Sequence, residues 1–187
     1  MISVIIATLD CERPLARTLA ALVPGAVDGL VSEAIVIDGG SRDGTAMVAD
    51  AAGCTFMTEA GPVGRCLKIA AAKARMPYLL FVQPGIVLDD GWVGEAARFI
   101  ERSAGERSAA VFRLGRAPTA LRQLLVLLGD AIGALPRPAQ GLLIARGFYD
   151  VLGGHAADAP DPERDLIRRI GRRRLVTLAA AANEILD

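Results

Sequence analysis

The stretch Ile35–Thr45, with the sequence IVIDGGSRDGT, is the clearest indication of the fold class of this chain. Its first residues belong to a predicted strand over Glu33–Asp38, whose apolar run is typical of a strand buried on both faces. Asp38 ends that strand, and a glycine-rich turn follows before a helix predicted from Gly44. A strand that leads through a tight turn into a helix is the building unit of a parallel sheet.

The same unit recurs on both sides of this stretch. Further strands are predicted at Ser3–Ala7, Cys54–Met57, Pro77–Val82 and Ala109–Arg113, with helices beginning near Pro14, Val63 and Trp92. The alternation predicts an α/β protein with a mostly parallel sheet and helices on both faces. The last third is less regular. It contains a predicted helix at Thr119–Ala134 and predicted strands at Leu142–Ala145 and Leu175–Leu178.

The composition of the 187-residue chain narrows the function classes. Lysine and arginine total 21 and so do aspartate and glutamate, which gives a formal net charge of zero. Zero net charge argues against a nucleic-acid binder that relies on bulk charge. Three cysteines without a Cys-x-x-Cys pair and a single histidine fit neither a disulfide framework nor a zinc site. We therefore expect reduced thiols and a cytoplasmic location.

No apolar run approaches the roughly 20 residues that a membrane span needs. The apolar segment Leu121–Leu135 is interrupted by Arg122 and Asp130 and predicts an amphipathic helix. Peripheral contact with the inner face of a membrane therefore stays open.

In an open parallel sheet, ligands bind beyond the carboxyl ends of the strands. The topology therefore predicts that the ligand-binding residues lie in three segments, Ala7–Cys11, Asp38–Thr45 and Gln83–Asp90. Asp38 can accept hydrogen bonds from a ribose or a base, or it can satisfy the backbone of its own turn. The turn lacks the lysine of a Walker loop and is not a Gly-x-Gly-x-x-Gly motif, so a dinucleotide site is disfavoured.

Several charged groups allow both a functional and a structural interpretation. Arg65 and Lys68 share one helix face and can clamp a diphosphate or form a solvated surface. Asp89 and Asp90 can hold a divalent cation or cap the helix that follows. Glu163 can act as a general base, or its negative charge can interact favourably with the positive end of the helix dipole.

Two further features follow late in the chain. The arginines between Arg168 and Arg174 form a dense basic cluster, which can bind phosphate head groups or an anionic lipid-linked substrate, or can simply be solvated. His155 follows Gly153 and Gly154, and we interpret it as a loop residue rather than a catalyst.

Four segments carry a resemblance to a known family. They are SVIIATLD at 3–10, IVIDGGSRDGT at 35–45, YLLFVQPGIVLDDGW at 78–92 and QGLLIARGFYDVLGG at 140–154. In this order and spacing the chain resembles a family-2 glycosyltransferase of the Rossmann-like GT-A fold, over about residues 2–178. The resemblance implies a single domain over 1–187, with a nucleotide-binding half at 1–113 and an acceptor-side half at 114–187.

The resemblance also implies an activity and a set of site residues. Such enzymes transfer a sugar from a nucleoside diphosphate sugar, by family default a UDP-sugar, to an acceptor such as a cell-envelope glycan or a lipid-linked molecule. The implied catalytic base is Glu163. The implied nucleotide-sugar site comprises Thr8, Leu9, Asp10, Asp38, Gly39, Arg65, Lys68, Gln83 and Gly85, and the acceptor side comprises Trp92, Gln140 and Gly141.

The sequence departs from the family pattern at the metal site. Where the family has Asp-x-Asp to hold Mg²⁺ or Mn²⁺, this chain has Gln83, Pro84 and Gly85. Hard divalent cations prefer carboxylate oxygen, so we expect no metal cofactor. The acidic residue that usually precedes Gln-Gly is Ala139, and the late Glu-Asp motif aligns with Pro162 and Glu163.

Three hypotheses therefore remain open. In the first hypothesis, the chain is a metal-independent transferase in which Lys68 and Arg65 neutralise the diphosphate and Glu163 deprotonates the acceptor. Alternatively, it is an inactive member of the fold that binds a nucleotide, a sugar or a protein partner. The third hypothesis is a peripheral scaffold that docks through the apolar residues Leu124–Leu128 and the arginine cluster.

Overall fold

The computed structural model describes residues 1–103, 105, 107–115 and 138–185. The described strands are β1 (Ile2–Thr8), β2 (Val31–Asp38), β3 (Thr55–Thr58), β4 (Tyr78–Phe81), β5 (Ile86–Leu88), β6 (Ala109–Leu114), β7 (Leu142–Ala145) and β8 (Leu175–Glu184). The described helices are α1 (Glu12–Val27), α2 (Thr45–Ala51), α3 (Val63–Lys73), α4 (Trp92–Arg102), α5 (Arg146–Val151) and α6 (Pro162–Ile170). The predicted helix Thr119–Ala134 and the apolar residues Leu124–Leu128 lie outside the described residues.

The strands form one sheet in the order β3-β2-β1-β4-β7-β6-β8-β5. The four strands from β3 to β4 are parallel, with Ile5 opposite both Ile35 and Phe81. Beyond β4 the sheet is mixed, because β7 runs antiparallel to both β4 and β6, and β5 runs antiparallel to β8. The α/β class is confirmed, and the parallel part lies within residues 1–113, the half predicted to bind the nucleotide.

Two features of the mixed half differ from the sequence-based prediction. The last strand continues past Leu178 to Glu184, and the short strand β5 lies within the segment predicted as a strand-end loop. These two elements pair with each other, with Ile86 opposite Glu184. The alanine-rich residues 179–182 have low intrinsic strand preference, so it is this long-range pairing that extends the strand.

The sheet is buried on both faces. Along β1, Val4 and Ile6 pack into one apolar layer with Leu15 of α1, whereas Ile5 points to the opposite layer with Leu67 of α3. Side chains alternate between faces in a strand, so an unbroken apolar run is what a doubly covered strand requires. In the described part of the chain, no helix has both the length and the apolar character that a membrane crossing requires.

Trp92 is a core residue, which corrects its predicted place on the acceptor side. Only 1% of its surface is exposed, and its indole Nε1 donates a hydrogen bond to the carbonyl oxygen of Ala21 at 3.1 Å. The indole meets the ring of Phe112 edge to face, with centroids 6.4 Å apart. The Gly-Trp pair at the start of α4 therefore anchors this helix beneath α1 instead of facing a ligand.

Gly25 of α1 tests this packing. A Cβ atom at Gly25 would lie 2.5 Å from the Trp92 ring. We expect Gly25→Ala to lower the free energy of unfolding by about 1–3 kcal/mol, because a closely packed core has no room for an added methyl group. Gly147→Ala is the matched control, since no atom lies within 4 Å of its Cβ position. Urea unfolding of both variants provides the measurement, and equal stabilities would contradict the close packing.

Candidate active site

A cleft of about 700 Å³ opens at the carboxyl ends of β1, β2 and β4. Its floor and one wall come from the strand ends, and the other wall comes from the start of α3 and the segment that leads into α6. The lining residues are Ala7, Thr8, Leu9, Cys11, Pro14, Ile37, Gly39, Gly61, Val63, Cys66, Leu67, Val82, Gln83, Pro84, Pro160, Asp161, Pro162 and Glu163. The cleft thus lies where the strand order predicted a ligand site.

Asp38 organises the turn at one end of the cleft. Its carboxylate accepts hydrogen bonds from the Thr8 hydroxyl at 2.8 Å, the Gly40 amide at 2.8 Å, the Ser41 amide at 2.7 Å and the Ser41 hydroxyl at 2.5 Å. An ionised carboxylate offers about four acceptor positions. These contacts favour the interpretation that Asp38 satisfies its own turn.

The hydrogen bonds also set the ionisation of this group. Burial raises the pKa of Asp38, but the bonds from Ser41, Thr8 and Gly40 outweigh burial, so its pKa is lowered below the ordinary value of 3.8. The carboxylate is therefore charged throughout the neutral range. A buried charge with this many donors fixes the turn in one geometry.

The turn is joined to the loop after β1. The Asp10 amide donates to the Ser41 hydroxyl at 2.8 Å, and the Asp10 carboxylate accepts from the Arg42 amide at 2.7 Å. Asp10 has a φ of 47°, a left-handed conformation that these bonds hold in place. Its carboxylate faces the turn, and Asp10 is not among the residues that line the cleft.

Asp38→Asn tests the role of this carboxylate. The amide group of asparagine cannot accept all four bonds, so we expect the free energy of unfolding at pH 7 to fall by about 1–3 kcal/mol. The folded-state pKa is depressed, so the stabilisation is present above 3.8 and is lost as pH falls through the folded pKa. Denaturant unfolding from pH 7 down to the acid limit should show the two proteins converging. A constant difference would contradict the assignment.

Gln83 and Glu163 meet at the other end of the cleft. Gln83 follows β4, Glu163 lies in the first turn of α6, and the Gln83 amide nitrogen donates to the Glu163 carboxylate at 2.7 Å. Burial raises the pKa of Glu163, the bond from Gln83 lowers it and the charge of Asp161 raises it, giving a pKa of about 7. A carboxylate with this pKa can take up a proton near neutral pH, as a general base must.

The segment that carries Glu163 is held against α3. The Asp161 carboxylate caps α6 by accepting from the Arg164 amide at 2.9 Å. A Cβ atom at Gly64 would lie 2.1 Å from the backbone oxygen of Ala156. Only glycine allows α3 to approach this closely, and the approach sets the width of the cleft.

The two neighbours of Glu163 shift its ionisation in opposite directions. Gln83→Met removes the hydrogen bond at similar volume, so we expect the pKa of Glu163 to rise above that of the parent protein. Asp161→Asn removes a negative charge while retaining a capping side chain, so we expect the pKa to fall. Carbon-detected NMR titration of the Glu163 carboxyl group measures both shifts. A titration that neither substitution moves would contradict this description of the site.

Arg65 and Lys68 do not line the cleft. The Arg65 guanidinium forms an ion pair with Glu59 at 2.7 Å, and Lys68 is exposed. Among the described residues that line the cleft, the charged side chains are Asp161 and Glu163. The predicted diphosphate clamp is therefore not assembled in this arrangement.

Three other predicted site residues hold the backbone instead of lining the cleft. Gly85 is buried with a φ of 88°, and its amide lies 2.9 Å from the Thr18 hydroxyl, to which it donates. The Gln140 side-chain amide donates to the carbonyl oxygen of Phe112 at 2.8 Å. A Cβ atom at Gly141 would lie 3.3 Å from the Phe112 ring, so this glycine fits a tight contact.

The residues at the family's metal position do not fit a hard divalent cation. Gln83 directs its amide N–H toward Glu163, Pro84 has no ligand atom in its side chain, and Gly85 has no side chain. The Asp89 carboxylate accepts from the amides of Ala181 at 2.8 Å and Gly91 at 3.3 Å, which agrees with the structural interpretation. In the described residues, no group of three or more His, Cys, Asp or Glu side chains could hold a metal ion.

His155 lies in the loop between α5 and α6, as predicted, and it is buried there. Its Nδ1 lies 3.0 Å from the Tyr149 hydroxyl, and its ring meets Phe81 with centroids 4.6 Å apart. Burial and the charge of Arg169 lower the pKa of His155 to about 3, so the ring is neutral. The side chain points inward from the turn at Gly153–Gly154 and packs against Tyr149 and Phe81.

Solved glycosyltransferases share this architecture. Glucosyl-3-phosphoglycerate synthase from Mycobacterium tuberculosis, in complex with phosphoglyceric acid, has a TM-score of 0.73 and 20% identity over 100% of this chain and 72% of that chain. The same enzyme with Mn²⁺ and UDP-glucose has a TM-score of 0.70 and 21% identity, with the same coverage. TarS from S. aureus has a TM-score of 0.72 and 17% identity over 97% of this chain and 59% of that chain.

The likeness to these structures and the cleft at the strand ends define the class: the chain has the GT-A fold of glycosyltransferases. The family model for glycosyl transferase family 2 matches residues 3–113. This protein therefore belongs to glycosyl transferase family 2, as the sequence motifs predicted. No curated protein matches the sequence.

Proposed function

We propose that this protein transfers a sugar from a nucleoside diphosphate sugar to a hydroxyl acceptor, without a divalent cation, and with Glu163 as the general base. The observation that carries the proposal is the Gln83–Glu163 hydrogen bond of 2.7 Å. It spans the cleft at the position where the family has its metal-binding carboxylates. The side chain that replaces the first of those carboxylates thus positions the candidate base.

The wall of the cleft that the strand ends form suits a nucleoside. Leu9 leaves 62% of its surface exposed at the cleft, beside Gly39, and offers an apolar face to a base. Thr8 and Gly39 border the same end, and Asp38 shapes the turn that presents them. Solved structures of the related synthase contain UDP and UDP-glucose, which favours a UDP-sugar as the donor.

The transfer step assigns Glu163 one proton. The acceptor oxygen forms a bond to the anomeric carbon, the bond from that carbon to the diphosphate oxygen breaks, and the acceptor proton passes to the Glu163 carboxylate. The pKa of about 7 keeps part of the population ionised at neutral pH. Gln83 orients the carboxylate through its N–H and lowers the cost of keeping it charged.

The leaving diphosphate needs positive charge. We assign this role to the first turn of α3, where the helix dipole is positive, and to Arg65 in the same turn. Arg65 is 56% exposed in its ion pair with Glu59. An exposed pair contributes about 0–1 kcal/mol, so the guanidinium can exchange its partner for a diphosphate at little cost.

A second candidate function is nucleotide or sugar binding without transfer. Absence of transfer is favoured by the charge of the cleft, because the charged side chains among its described lining residues, Asp161 and Glu163, are both acidic and do not neutralise a leaving diphosphate. The two functions separate experimentally, because a binding module retains donor affinity but shows no turnover.

Donor binding is tested by thermal unfolding with UDP, GDP, CDP, dTDP and UDP-glucose, each in EDTA and in Mn²⁺. A ligand at about 100 times its dissociation constant adds about 2.7 kcal/mol, and each kcal/mol raises the Tm of a chain this size by roughly 2–4 °C. We expect one nucleotide to stabilise the protein equally in both buffers. A shift that requires Mn²⁺ would contradict metal independence.

Matched variants locate the bound diphosphate. We expect Arg65→Gln to reduce the shift given by UDP but not any shift given by uridine, because only UDP carries a diphosphate. Lys73→Gln removes an exposed cation at the far end of the same helix and should leave both shifts unchanged. If Lys73→Gln and Arg65→Gln acted equally, the effect would be one of general charge, and the assignment of Arg65 would fail.

A further inference from the structure

A second pocket of about 500 Å³ lies at the opposite end of the strands from the cleft. It is bounded by one side of α4 and by the starts of β6 and β8. Because β6 runs in the same direction as β4, the starts of these strands lie away from the carboxyl ends that form the cleft. The lining residues are Glu95, Arg98, Phe99, Arg102, Ser103, Ser108, Arg173, Arg174, Val176, Thr177 and Leu178.

The lining is strongly basic. Four arginines and one glutamate leave a formal charge of +3. Glu95 is occupied, because it pairs with Arg98 and accepts a hydrogen bond from the Ala179 amide at 3.2 Å. In the described part of the chain, Arg102 and Arg173 have no carboxylate within ion-pair distance.

Arg174 is held by a different contact. Its guanidinium carbon lies 5.9 Å from the centre of the Phe148 ring. Stacking on an aromatic face leaves the N–H groups of a guanidinium available to a ligand in its plane. The arginine cluster found in the sequence is therefore partly gathered around a concave surface.

We propose that this pocket binds a phosphate group, held by the guanidinium groups of Arg102 and Arg173. Phosphate oxygens are acceptors with negative charge, and guanidinium groups are the matching donors. The ligand is a phosphate monoester, carried by a small metabolite or by a phospholipid head group. The pocket is separate from the cleft, so this inference does not depend on the proposed transfer.

The test is a titration of the full chain with inorganic phosphate, followed by ¹H–¹⁵N NMR at constant ionic strength against sodium chloride. We expect saturable shifts at the amides of Ser103, Ser108 and Arg173. The Arg102→Gln/Arg173→Gln double variant should weaken binding about tenfold or more, because each charged hydrogen bond contributes substantially. Arg172→Gln, in the same turn but outside the pocket lining, is the control and should bind normally.

Sedimentation with phosphatidylcholine vesicles, with and without phosphatidic acid, identifies the source of the phosphate. Binding to phosphatidic acid that the double variant abolishes supports a lipid head group, and saturable inorganic phosphate binding without vesicle binding supports a soluble ligand. The proposal is overturned if neither probe binds. It is also overturned if Arg172→Gln weakens binding as much as the double variant, because the effect would then be diffuse surface charge.

Discussion

The hydrogen bond from the Thr8 hydroxyl to the Asp38 carboxylate, at 2.8 Å, joins the ends of the two central parallel strands. The same carboxylate accepts hydrogen bonds from the amides of the following turn. That turn is itself hydrogen-bonded to the loop after β1. One buried charge therefore sets the shape of the end of the cleft that is proposed to hold the nucleotide. Leu9 follows Thr8 and Gly39 follows Asp38, so the two residues next to this hydrogen bond line the cleft.

The opposite end of the cleft is controlled by a different balance. Burial raises the pKa of Glu163, and the hydrogen bond from Gln83 partly offsets this rise. In a family whose usual motif brings carboxylates to this place, the chain has an amide that donates to a carboxylate from another element. The substitution removes a cation ligand and at the same time creates a partner for the candidate base. The Gln83–Glu163 hydrogen bond therefore connects the position of the missing Asp-x-Asp motif to the candidate base.

The parallel half of the fold was predictable from the sequence because its strands are continuous apolar runs buried on both faces. The place of the cleft followed from the strand order, and Thr8, Leu9, Gly39, Gln83 and Glu163 do line it. The burial of Trp92 and the pairing of β5 with β8 were not predictable, because both depend on residues distant in the sequence. The ion pair of Arg65 with Glu59 and the inward orientation of His155 likewise depend on the folded structure.

The central claim is that Glu163 acts as the base in a cleft that needs no divalent cation. The most direct measurement is the release of UDP from UDP-glucose in EDTA, with water as the acceptor, as a function of pH. We expect a rate that rises through about pH 7 with the ionisation of Glu163, is unchanged by Mn²⁺ and is lost in Glu163→Gln. A rate that requires Mn²⁺, or that Glu163→Gln retains with the same pH dependence, would show that Glu163 is not the base of a cation-independent transfer.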